Sequence, residues 1–149
     1  MKNLFFTFLF VAMMAGTSFA QGFGGGISLS DDVGIQARYE FDLSAVENLE
    51  IAPNFTYFFV DGGTFFSING DGHYDFALGE SGDLVVYPLA GLNWSRASAG
   101  GFSSSDIGLN IGGGVNYNLS GIRLFGEVKH TTTGIGNEFI DLGVLFNLN

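Results

Sequence analysis

Residues 108–121 read GLNIGGGVNYNLSG. Gly and Asn at this density suit a loop, yet they alternate with large apolar side chains. Ile107, Leu109, Ile111, Gly113, Val115, Tyr117 and Leu119 share one parity, and Asp106, Gly108, Asn110, Gly112, Gly114, Asn116 and Asn118 share the other. A helix would scatter both sets around its circumference, whereas a strand sends successive side chains to opposite faces. The stretch is therefore a strand with one apolar face and one polar face.

The same pattern recurs on either side. In VGIQARYEFD, Val33, Ile35, Ala37, Tyr39 and Phe41 oppose Gly34, Gln36, Arg38, Glu40 and Asp42. In EFIDLGVLFNL, Ile140, Leu142, Val144, Phe146 and Leu148 oppose Phe139, Asp141, Gly143, Leu145 and Asn147. Gly, Asn, Asp and Ser clusters mark the turns. They divide the chain into eight predicted strands, near 22–30, 33–43, 49–60, 64–78, 83–96, 106–119, 121–131 and 138–148. ASAGGFSSS is the longest of the predicted connections, and the core of an expected surface loop, RASAGGFSSSD. Most of these strands reach the roughly nine to eleven residues that a tilted membrane strand needs.

The first twenty residues, MKNLFFTFLFVAMMAGTSFA, form a separate unit. Lys2 gives a positive start, Leu4 to Ala15 an apolar core, and Ser18-Phe19-Ala20 a small-x-small cleavage site, the pattern of a secretory signal peptide. Cleavage after Ala20 leaves residues 21–149 as one domain. No Cys is present, which excludes disulfides, thiolate metal sites and a lipid-modified N-terminal Cys. Asp and Glu number 15 against 5 Lys and Arg, one of which leaves with the signal. That balance excludes a nucleic-acid partner, which requires a basic footprint. Seventeen Phe argue against disorder. After the signal no apolar run is long enough for a membrane helix, so any membrane crossing uses strands.

Two architectures accommodate eight such strands. A soluble sandwich or lipocalin-like barrel puts its apolar face inside; a membrane barrel turns that face to lipid. The regular register of Gly, Asn, Ser and charged residues on the polar face suits a narrow hydrated or hydrogen-bonded interior. Aromatic placement agrees. Tyr39, Phe41, Tyr74, Phe76, Tyr117 and Phe146 collect at one end, and Phe55, Tyr57, Phe59, Phe66 and Trp94 at the other, as two interfacial girdles. The expected fold is an all-β, eight-stranded antiparallel up-and-down transmembrane β-barrel.

YPLAGLNW (Tyr87 to Trp94), GLNIGGGVNYNLSG, LFGEVKH (Leu124 to His130) and the closing DLGVLFNL resemble the small outer-membrane β-barrel domain proteins of Gram-negative bacteria. The resemblance covers most of the chain after residue 20 and is strongest from residue 84 onward. It implies both chain ends in the periplasm and outer-membrane lipid as the surroundings. Export machinery and the barrel-assembly machinery are implied as partners during biogenesis. The last strand resembles the signal that the assembly machinery reads, here Asp141, Gly143, Phe146 and Leu148, although many such chains end on an aromatic and this one ends Leu148-Asn149.

The polar parity also collects charges: Arg38, Glu40 and Asp42, then Glu50 and Asp75, then Arg123, Glu127, Lys129 and Asp141. Two readings stand side by side, a structural ion-pair network filling the interior and a gate along an ion path. Eight strands leave an interior that side chains can fill, but glycines at 34, 108, 112, 114 and 143 leave room for a small water-filled cavity. In NGDGHYD, Asn69, Asp71, His73 and Asp75 share a face, yet their spread along one strand is too great for a single cation. His130 and Thr132 are reminiscent of the His-x-Ser of lipid A deacylase barrels. Here Thr replaces the Ser, Glu138 sits too close in sequence for that family's acid, and an interfacial His explains the position without catalysis. GFGGGIS lacks the Lys-Ser/Thr of a phosphate loop.

The functional expectation is an integral outer-membrane barrel with a structural envelope role, no enzymatic activity and no cofactor or metal. A surface adhesin or host-interaction barrel, and a narrow porin-like channel, are the alternatives. No appended cell-wall-binding domain is expected.

Overall fold

The structure is a computed structural model that describes residues 21–43, 45–134 and 137–148. The signal peptide expected over 1–20 lies outside the described residues. Nine hydrogen-bonded segments make eight staves. They are β1 (Gln21–Leu29), β2 (Val33–Asp42), β3 (Leu49–Phe58), β4 (Gly63–Tyr74), β5 (Phe76–Leu78), β6 (Leu84–Ala99), β7 (Phe102–Leu119), β8 (Ile122–Thr131) and β9 (Glu138–Leu148). Each stave pairs antiparallel with its neighbours in sequence order. β1 also pairs with β9, from Gln21↔Leu148 to Leu29↔Ile140, so the sheet closes on itself. Closure leaves the membrane-spanning backbone without a free edge, which hydrocarbon would not tolerate.

β4 and β5 are one stave interrupted by a missing donor. The β4–β6 register runs to His73↔Leu89 and resumes unchanged at Phe76↔Val86. Between them Tyr74 stands opposite Pro88. The bond from the Asn118 amide to the Asp83 carbonyl, 2.8 Å, fixes which positions of β6 turn toward β7, and Pro88 is of the opposite parity. Its nitrogen therefore faces β4, where it has no hydrogen to give. Pro53 does the same between β2 and β3, whose pairing skips from Arg38↔Asn54 to Phe41↔Ile51.

One expected loop is a strand. Instead of ending near 96 and restarting near 106, β6 and β7 continue to Ala99 and Phe102, with Ala97 paired to Ser104. Gly100 and Gly101 alone make the turn, with φ of 57° and 83°. Two consecutive left-handed residues build the tight hairpin whose twist matches its strands. β8 joins β7 only from Asn110↔Thr131 inward, so the hairpin rises past the neighbouring stave.

The two faces sort as the alternation requires. Ile107, Ile111 and Val128 are 72%, 66% and 61% exposed, Val115 and Leu142 lie on the same outer surface, and Asn110 and Asn116 are buried inside. A continuous outer belt of this size would aggregate in water and belongs in lipid. Both aromatic groups form contacts, Tyr39–Phe41 and Tyr74–Phe76 toward the chain-terminal end, Phe55–Phe66–Trp94 and Tyr57–Phe59 toward the other.

Candidate functional site

The barrel interior is filled in layers, and each layer follows from which lumen-facing residues neighbouring staves bring to one height. Nearest the chain-terminal mouth, Arg123 of β8 reaches across to β2 and β3. Its Nη1 donates to Glu40 at 2.7 Å and to both carboxylate oxygens of Glu50 at 3.0 and 3.1 Å, while its Nε donates to Asn118 at 3.2 Å. Asp42, Glu50 and Asp75 line a cavity of about 410 Å³ at this mouth.

One layer further in, Arg38 is fully enclosed. Its Nε meets Glu40 at 2.7 Å and its Nη2 donates to Glu127. The guanidinium carbon lies 4.5 Å from the centre of the Phe125 ring, a cation–π contact in a desolvated setting. Tyr87 stacks on His73 at 4.3 Å and donates its hydroxyl to Glu127 at 2.9 Å. Nη2 of Arg38 also donates to Nε2 of His73 at 3.1 Å.

Above that lies a layer that holds Lys129 and a network of amides, joined through Asp71. The Lys129 ammonium meets Asp71 and Asp141, each at 3.1 Å. Asn54, Asn69 and Asn93 are register partners on β3, β4 and β6. Asn69 donates to Asn54 at 2.8 Å, and Asn93 donates to Asn69 at 2.6 Å. Asn110 closes the ring by donating to Asp71 at 2.7 Å and Asn69 at 2.9 Å, and accepts from Thr131. Toward the far mouth, Phe58 and Phe65 stack at 4.6 Å and Phe139 packs on Phe58 at 5.7 Å.

The lumen glycines do not leave a cavity, because neighbouring side chains or the backbone of the next stave occupy the space above them. A Cβ on Gly114 would meet the Tyr87 ring at 2.5 Å, one on Gly143 the Phe125 ring at 2.6 Å, and one on Gly34 the Phe58 ring at 2.9 Å. At Gly112 it would meet the backbone of β8 at Val128 and Lys129, and at Gly108 Thr133. Small residues on one stave make room for large ones on the next.

Of the residues singled out in the sequence, Arg38, Glu40, Glu50, Arg123 and Glu127 meet directly through Arg38 and Arg123, whereas Lys129 pairs in the next layer with Asp141 and with Asp71. On β9, Asp141 and Gly143 face inward while Phe146 and Leu148 face outward. The sequence places Asp71 and His73 in a polar lumen stripe with Asn69 and Asp75, where the structure finds them buried, but it does not show which charges of other staves they meet; Tyr87, among apolar neighbours, carries no such signal. Glu40, Glu50 and His73 bring possible ligand atoms within 4.8 Å of one another. Arg38 and Arg123 already answer both carboxylates, and His73 accepts a hydrogen bond from Arg38, so the trio is engaged within the network. His130 points outward beside its cross-strand partner Glu138, and the Thr132 hydroxyl accepts from the Leu109 amide at 2.9 Å.

Closed barrels of this shape are known. The N-terminal β-barrel domain of Pseudomonas aeruginosa OprF superposes with a TM-score of 0.66 at 16% identity, over 87% of this chain and 97% of that one. The fold is that of the small bacterial outer-membrane barrels. Neisserial surface protein A gives a TM-score of 0.56 at 20% identity, over 87% and 96%. Ail, the attachment invasion locus protein of Yersinia pestis, gives 0.56 at 16% identity, over 88% and 97%. No protein-family model matches the chain, and no curated protein matches it by sequence.

Proposed function

We propose that this chain is an integral outer-membrane protein with a structural role in the envelope, a non-enzymatic barrel that crosses the bilayer without conducting. The filled lumen carries the reading. An ion moving along the axis would have to part Arg38 from Glu127, break the asparagine network tied through Asp71 to Lys129 and displace the Phe58–Phe65 stack. A narrow porin-like channel needs a continuous wet path, and these layers oppose one. Planar-bilayer recording of the refolded protein is the test. Quiet membranes are expected; reproducible unitary current steps would overturn the reading. Recovery of the native protein in a fraction other than the outer envelope would overturn the location.

Export by the 1–20 signal and recognition of Asp141, Gly143, Phe146 and Leu148 by the assembly machinery belong to the same proposal. In its support, Phe146 and Leu148 present apolar side chains outward along the closing strand.

A surface adhesin or host-interaction role is the second reading, favoured by the hairpin that rises past β8. Ail has been crystallised with the heparin analogue sucrose octasulfate. The mouth opposite the chain ends here carries Asp31, Asp32 and Asp61, which would repel sulfates, so adhesion by this chain through that mouth would require another chemistry. Shortening the hairpin between Ala97 and Ser104 and measuring cell binding separates the two roles.

A further inference from the structure

Above the Phe58–Phe65 stack, the mouth opposite the chain ends holds a cavity of about 480 Å³ between the β1–β2 turn, the β3–β4 turn and the β6–β7 hairpin. Phe65, Val60 and Ala97 make it apolar, and Phe102, 85% exposed, stands at its side. Asp31, Asp32 and Asp61 lie on its rim, and its lining contains no Lys, Arg or His. Among the described residues these three carboxylates have no ion-pair partner, in contrast to the answered charges deeper in the barrel.

We propose that this vestibule binds a lipophilic organic cation approaching from outside the barrel. The volume is that of a small-molecule site. Apolar walls reward an aromatic or aliphatic body, and the faces of Phe65 and Phe102 suit a cation as well as a hydrocarbon. A concave, low-dielectric surface edged by three carboxylates focuses its potential inward and concentrates the opposite charge; against them stands Arg96, which donates to the lining Ser103 at 3.3 Å. The Phe102 side chain buries little surface where it stands, between Gly101 and Ser103 and opposite Ala99. A ligand with both an apolar body and a positive charge uses every feature of the cavity, whereas an anion or a neutral sugar uses few.

The test is titration of isotope-labelled protein in zwitterionic nanodiscs with tetraphenylphosphonium. Tetraphenylborate, of the same shape and opposite charge, is the control. Saturable shifts of the amides at 30–32, 61–64 and 102–104 are expected with the cation and not with the anion. The D31N/D32N/D61N variant should weaken binding about tenfold, and F102A should weaken it without abolishing the salt dependence. Both variants alter surface turns, and their folding is checked by the unchanged spectrum of the lumen amides. Equal response to both ions, shifts confined to lipid-facing strand residues, or full affinity in the triple Asn variant would each overturn the proposal.

Discussion

At the scale of single residues, the informative positions are those where a charge is enclosed with its partner. Arg38 and Glu127 come from staves 89 positions apart in sequence and meet in a space that water does not reach. Removing one member leaves the other charge buried and underpaired, a loss of about 3–5 kcal/mol in comparable settings. Glu127→Ala should therefore destabilise the barrel by about that amount, read from urea unfolding in lipid vesicles. The double change Arg38→Met with Glu127→Leu should cost less than Glu127→Ala alone, since neither charge remains. Equal or larger destabilisation in the double variant would show that the Arg38–Glu40 pair, which it also removes, or packing by Phe125 and Tyr87 outweighs the Arg38–Glu127 pair. The glycines teach the complementary lesson. Read along one strand, Gly114 and Gly143 look like room; read across two, each is the notch for a ring on its neighbour. A single sequence gives the parity of each residue and not the register between strands, so the notch could be seen but not what fills it.

At the scale of the element, alternation made the lipid-facing face legible almost residue by residue, because hydrocarbon penalises every exception. It failed at 97–105, where Ala, Gly and Ser lack any apolar alternation. That segment lies beyond the membrane belt, so nothing selects for a greasy parity, and its strand character rests on backbone pairing alone. The two prolines were visible in the sequence but their effect depends on which edge their nitrogen faces. Pro88 and Pro53 each leave a carbonyl of a girdle tyrosine, Tyr74 and Tyr39, opposite a position with no N–H. Near an interface, water can serve such carbonyls, as it cannot at the bilayer centre. Pro88→Ala should restore the bond to Tyr74, join β4 and β5 into one continuous strand, and add about 1 kcal/mol. Hydrogen exchange checks this. Slow exchange of the amide that the substitution introduces supports it, and fast exchange of that amide shows the strands remain parted for another reason.

At the scale of the whole molecule, apolar surface points away from the axis and the polar groups point toward it. Folded protein should migrate differently in detergent gels before and after boiling, since the closed cylinder resists detergent until heated; identical migration would speak against a closed barrel. The ion pairs add a feature that no stave holds alone. β1 and β9 meet at the seam, and Arg38–Glu127, Arg123–Glu40 and Arg123–Glu50 each link a stave on one side of that seam to a stave on the other. Before the first and last strands meet, these groups must wait without their mates across the seam, Arg38 keeping only Glu40 of its own strand. Zipping the seam is thus also the moment at which the clasp snaps shut, and a half-open cylinder in the bilayer is penalised twice, once along its raw edges and once for its stranded charges.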